Sequence, residues 1–167
     1  LSRVQQEKER LMLAADEIAQ SSQDLTRLCR LYIITKSNTY LEEYLTITKW
    51  QNGEIPRPKS VNAQLFPGRT VGRTELLKEL GCTAEELALL NTASSLSVHL
   101  SDLERQAMES IRRQRYVQGP ASIQPEETVT NFAIRAVHDE AYHAETAKIM
   151  QSISTFFRRL DTRTNAA

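Results

Sequence analysis

Residues 83–113, TAEELALLNTASSLSVHLSDLERQAMESIRR, hold the clearest pattern in the chain. Thr83 followed three residues later by Glu86 is a capping box, in which each side chain satisfies the other's unpaired backbone N–H at a helix start. Beyond it Leu89, Ala93, Leu96, Leu100, Leu103 and Ala107 recur at intervals of four and three, a bundle seam that runs to about Arg113. A helix of that length with one apolar stripe needs partners of similar length, and the flanking sequence supplies two. Upstream, Val4, Leu11, Ala15, Ile18, Ser22, Leu25, Cys29 and Tyr32 keep the same spacing with Lys8 as the interruption. Downstream, Tyr142, Thr146, Ile149, Ile153, Phe156 and Leu160 repeat it once more.

Shorter elements lie between these seams. Lys36–Ser37–Asn38–Thr39 has polar turn chemistry, after which Tyr40, Leu41, Tyr44, Leu45 and Ile47 resume an amphipathic helix as far as Trp50. Asn52–Gly53 ends it, and Pro56–Arg57–Pro58 forces an extended exit. From Glu54 to about Arg73, Pro56, Pro58, Pro67, Gly68 and Gly72 mark a loop of about 20 residues, a length often tied to function. Thr74 is placed to cap a short helix through Leu80, which Gly81 stops. Gly119–Pro120 and Pro125 break the chain again, and a last helical region starts near Glu126 or Thr128 with a bend around His138–Asp139. The expected fold is all-α: one domain over residues 1–167, an antiparallel four-helix-like bundle with additional short helices and a long loop inserted between the long ones.

Composition narrows the function. With 167 residues, 40% apolar and 25% charged, the chain can bury a real core, which argues against wholesale disorder. Lys and Arg number 21 against 21 Asp and Glu, so the long-range attraction used by nucleic-acid binders is missing and no nucleic-acid partner is expected. The longest uninterrupted run of large apolar residues, Leu31 to Ile34, is far short of the ~20 needed to cross a bilayer, and the chain as given is expected to be soluble. There is no initiator Met and no signal-peptide pattern, and the ends read as cut points in a longer protein. Cys29 and Cys82 carry no CxxC spacing; Cys29 falls in an apolar stripe, and a bridge between the two requires the fold to bring them together.

Catalytic and metal chemistry find little support. Glu140 and His143 have the Glu-x-x-His spacing of di-metal bundles, with His138 and Asp139 beside them, but a second such pair is missing because His99 is preceded by Ser-Leu-Ser-Val. No nucleophile elbow, phosphate-binding glycine loop or Cys/His pairing is present, so no enzyme, no cofactor and no metal is expected. The distinctive feature is instead a concentration of arginine, aromatic and polar side chains: Arg27, Arg30, Tyr32, Thr35, Tyr40, Tyr44, Trp50 and Asn52, with Arg57 just beyond. An arginine flanked by hydroxyls can hold a carboxylate through charge-assisted hydrogen bonds while aromatic rings form the wall, which makes these eight residues the candidate ligand site. On that reading Arg30→Ala weakens a carboxylate ligand more than it harms folding.

The same stretch carries a resemblance. SQDLTRLCRLYIIT (22–35), YLEEY (40–44), WQNG (50–53) and PRP (56–58), then TAEEL (83–87), Leu103–Glu104 with Ala107–Met108, Tyr142–His143, Lys148 to Met150, Phe156 and DTRT (161–164), together look like the extracytoplasmic helical sensor domains of bacterial methyl-accepting chemotaxis proteins. The resemblance spans most of the chain. It implies a periplasmic domain set between two transmembrane helices of an inner-membrane receptor, a homodimer, and a small polar metabolite such as an organic acid or amino acid bound between helices. Similar modules precede histidine kinases and cyclic-dinucleotide enzymes. A purely structural or protein-interaction bundle is the alternative from a different class.

Overall fold

The computed structural model describes residues 2–165, and within them six α-helices form the whole of the regular structure. They are α1 (Arg3–Thr35), α2 (Asn38–Gln51), α3 (Arg73–Glu79), α4 (Ala84–Arg113), α5 (Val129–Ala136) and α6 (Glu140–Asn165). The fold is the expected all-helical bundle. Its frame is the three long helices: α1 of 33 residues, α4 of 30 and α6 of 26.

Ion pairs fix how they run. Lys8 near the start of α1 meets Asp161 near the end of α6 at 2.6 Å, and Arg163 of α6 reaches Glu86 at the start of α4, also at 2.6 Å. Therefore α1 and α4 are parallel and α6 is antiparallel to both. Lys36, in the left-handed region at φ 58°, turns the chain back so that α2 descends along α1. The chain then makes its long excursion, returns through α3, and rises again as α4.

The sequence patterns translate into burial with small offsets. Ala93, Leu100, Leu103 and Ala107 of the predicted seam are buried, whereas Leu89 and Leu96 are half-buried and Leu90 takes the inward place. In α6, Tyr142, Ile149, Ile153, Phe156 and Leu160 face the core as expected and Thr146 lies at its margin. The capping box at Thr83 is formed in both directions, at 3.2 and 3.1 Å. Thr74, by contrast, is not a cap: Gly72 occupies that position and Thr74 lies inside the first turn of α3. The last helical region is two helices rather than one bent one. Val137 ends α5, and the Asp139 carboxylate accepts the Tyr142 N–H at 2.9 Å to start α6, so the residue read as a bend is a helix cap.

The loop between α2 and α3 is closed at its base. Gly53 has φ 78° and sits so close to Gly72 that an added Cβ would lie 2.7 Å from the Gly72 nitrogen. Within the loop Arg57 is the pin. Its backbone pairs with Arg69 and Gly68 (2.8 Å each), its Nε donates to the Leu65 carbonyl at 2.8 Å, and its Nη2 donates to both Glu17 oxygens at 2.9 and 2.7 Å. The guanidinium also lies 5.0 Å from the centre of the Trp50 ring. The Pro-Arg-Pro segment thus fastens the loop to α1. Cys29 and Cys82 are both free thiols, so no bridge joins them. No helix among the described residues is long and apolar enough to cross a membrane.

Candidate functional site

At the middle of the bundle a carboxylate ties four helices together. Glu104 follows Leu103 on the inward face of α4 and is 1% exposed. Its Oε1 accepts the Tyr44 hydroxyl of α2 at 2.9 Å, while Oε2 accepts the Tyr142 hydroxyl of α6 at 2.8 Å and lies 3.2 Å from the Thr26 hydroxyl of α1. Thr26 and Tyr142 are also 2.6 Å apart, so the hydroxyls form a connected network. A carboxylate taken out of water is costly, and hydrogen bonds to it offset that cost at about 1.5–3 kcal/mol each. Burial nevertheless wins: it pushes the Glu104 carboxyl above the ordinary range, while the Tyr142, Tyr44 and Thr26 hydroxyls pull the other way. Burial and the neighbouring carboxylate in turn hold Tyr44 and Tyr142 far above the usual phenol value, so both remain proton donors.

Glu104 also lines a cavity of about 480 Å³ bounded by α1, the end of α2, the segment Gly72–Glu75 and α4. That volume suits a small metabolite. Small polar side chains make up much of the wall, among them Ser21, Ser22, Ser94, Ser97 and Ser101, with Leu25 and Leu100 as apolar surfaces. Gln51 and Arg73 complete it at the α2–α3 side. Arg73 is only partly exposed, and burial lowers its guanidinium to about 10, still charged at neutral pH.

A second cavity, about 560 Å³, opens between α1 and α6 on the other side of the Thr26–Tyr142 pair. Arg27, Arg30, Leu31, Ile34, His143 and Met150 contribute to it. It is more apolar at its outer edge, where Ile34 is 66% exposed.

The eight residues singled out from the sequence do not share one site. Arg27 is exposed and, with Arg30, borders the second cavity. Arg30 already donates from Nε and Nη2 to the Val137 carbonyl, at 3.1 and 2.7 Å, and lies 5.4 Å from the Tyr142 ring centre. Tyr32 is buried in the core, and Tyr40 is half-buried against it. The Thr35 hydroxyl donates to the Leu31 carbonyl and accepts the Ser37 N–H, which makes it part of the turn. Trp50 is buried beneath Arg57. Tyr44 is committed to Glu104, and Asn52 alone of the eight borders the first cavity, while also ending α2. Sequence reasoning missed Glu104, Arg73 and Gln51. Only Glu104 had a signal: an acid beside a bundle-seam leucine, three and four residues before Ala107 and Met108.

Among the described residues no three His, Cys, Asp or Glu side chains converge as metal ligands do. His138 places Nδ1 2.7 Å from the Ile134 carbonyl, a helix-end contact. Burial, with Glu104 adding to it, raises the Cys29 thiol well above its ordinary value, and burial pushes Cys82 up to about 12, so neither is poised as a nucleophile. Comparison of the chain with protein-family models, curated proteins and solved structures finds no match.

Proposed function

We propose that this domain is the extracytoplasmic ligand-sensing part of a transmembrane receptor of the chemoreceptor kind, working as a homodimer and binding a small polar metabolite between its helices without catalysis. The observation that carries the reading is the cavity of about 480 Å³ that reaches Glu104, because Glu104 is hydrogen-bonded to three other helices. A ligand that competes for one of those hydroxyls favours one packing of the bundle over another, and its differential affinity sets the size of the shift. The antiparallel pairing of α1 and α6 supports the reading, since Lys8 and Asp161 bring the outer ends of the two helices to one end of the bundle, where two membrane anchors would attach. The sequence resemblance points the same way.

A second reading, a bundle that docks another protein, draws on the cavity between α1 and α6 with its exposed Ile34. A thermal-shift screen against organic acids, amino acids, amines and nucleobases, followed by calorimetry, separates the two. Sensing requires a saturable hit, with about 2.7 kcal/mol of stabilisation at a hundredfold excess over Kd. Silence across the panel rejects direct sensing and favours a protein partner.

A further inference from the structure

Among the described residues, one buried side-chain nitrogen is left without a partner: Nε2 of Gln51. An unpaired buried amide costs about 1–3 kcal/mol, so such an atom in a folded domain calls for an explanation. Gln51 lies in the wall of the Glu104 cavity and shares that wall with Arg73. Both also border a much smaller void of about 10 Å³ behind them, on the order of one water, together with Glu17 and Arg57. Gln51 and Arg73, with Ile18, therefore form the partition between the two spaces.

The charges around this partition do not cancel. Arg57 and Arg73 face a single carboxylate, Glu17, and Glu17 is already held by Arg57 at 2.7 Å. No carboxylate among the described residues forms an ion pair with Arg73. Arg73 is left without an ion-pair partner, next to an unused amide donor, at one side of a cavity whose lining also includes the acids Glu75, Asp102 and Glu104 and the base Arg105. A single carboxylate on a ligand matches that one unpaired guanidinium. A dianion such as phosphate would exceed it and would also face the acidic lining.

We infer that the cavity binds a small carboxylate, its acid group seated between the Arg73 guanidinium and the Gln51 amide and its hydrogen-bond donor directed to Glu104. The inference rests on the sensing reading above and assigns its ligand class and anchor. An α-hydroxy or α-amino acid carries both groups. The vacant acceptor capacity lies on Glu104 Oε1, which takes only the Tyr44 hydroxyl.

The test titrates the domain with glycolate, lactate and alanine, and with glycolamide, lactamide and alaninamide as uncharged-acid counterparts, following the Gln51 side-chain amide by ¹⁵N NMR. The expected result is a saturable shift of that amide with at least one acid and not with its amide. Arg73→Ala should weaken binding about 10- to 100-fold, Arg73→Lys should restore part of it, and an unchanged circular dichroism spectrum shows that the variant folds. Gln51→Leu supplies an independent loss, since it removes the unpaired donor, together with the carbonyl beside it, at similar side-chain volume. Equal binding of acids and amides, or binding untouched by Arg73→Ala, overturns the carboxylate anchor while the sensing reading stands. Loss on Arg27→Ala with Arg73→Ala silent moves the site to the α1–α6 cavity and overturns the inference. A Gln51 signal that ignores every acid assigns its nitrogen to a water in the small void and overturns it as well.

Discussion

A carboxylate buried at the centre of a helical bundle is stable there to the extent that its neighbours share protons with it. Because burial raises Glu104, the folded protein holds that proton more tightly than the unfolded chain does. The stabilisation from this group is therefore complete below the ordinary glutamate value of about 4.3 and is lost as pH rises through the raised value of the folded state. Glu104→Gln keeps an acceptor for the hydroxyls but removes the titration. Urea unfolding of wild type and variant across that pH window should show a declining stability for the former that the latter lacks, and parallel curves would refute the assignment. Glu86 acts in the opposite sense: burial pushes it up, the Arg163 and Thr83 contacts overrule burial, and its contribution is lost as pH falls through its depressed value. At this scale the sequence was partly legible. Tyr44 could be picked out as a candidate, but its partner could not, because 60 residues separate Tyr44 from Glu104 and only the tertiary fold joins them.

At the scale of elements, helix starts were easier to read than helix breaks. Thr83 and Glu86 act within one turn, so local sequence suffices to place the start of α4. The break between α5 and α6 depends on a distant residue. Val137 leaves its carbonyl to the Arg30 guanidinium of α1, so an arginine read as a ligand contact serves as a clamp on a helix junction. Arg30→Ala should accordingly lower stability by about 1.5–3 kcal/mol, and hydrogen exchange should rise around 137–141 before it rises elsewhere. A fully stable variant with weakened carboxylate binding would restore the ligand role instead. Seam positions were legible to within about one residue because the apolar spacing is local; near the start of α4 the inward place falls at Leu90 rather than Leu89.

For the whole molecule, the parallel pair α1 and α4 with antiparallel α6 means that any slide of α6 is felt at the Lys8–Asp161 and Arg163–Glu86 pairs together. The exposed Lys8 pair is weak and does not resist such a slide. Spin labels introduced by Glu9→Cys and Thr162→Cys, in a Cys82→Ser background, should report a change of about 1–2 Å on saturating with an acid that binds, the scale of helix shifts in switching proteins. An unchanged distance at saturation would exclude signalling by displacement of α6. Cys29 needs no removal, since it is fully buried. The bundle as a whole was legible because three seams repeat one spacing over long stretches. Its cavity was not, since Ser21 of α1, Ser97 of α4 and Arg73 of α3 meet there from three separate parts of the chain.

The touching of Gly53 and Gly72 has a bearing on how such a domain can change over generations. A segment that leaves and re-enters the bundle at one point can gain or lose residues without altering the distance its ends must span. Arg57, Leu65 and Val71 are anchored, whereas 59–64 lies between those anchors and is mostly exposed. Insertions and deletions are thus best tolerated at that tip, which can drift in length and composition while the helices and the cavity they enclose stay under constraint.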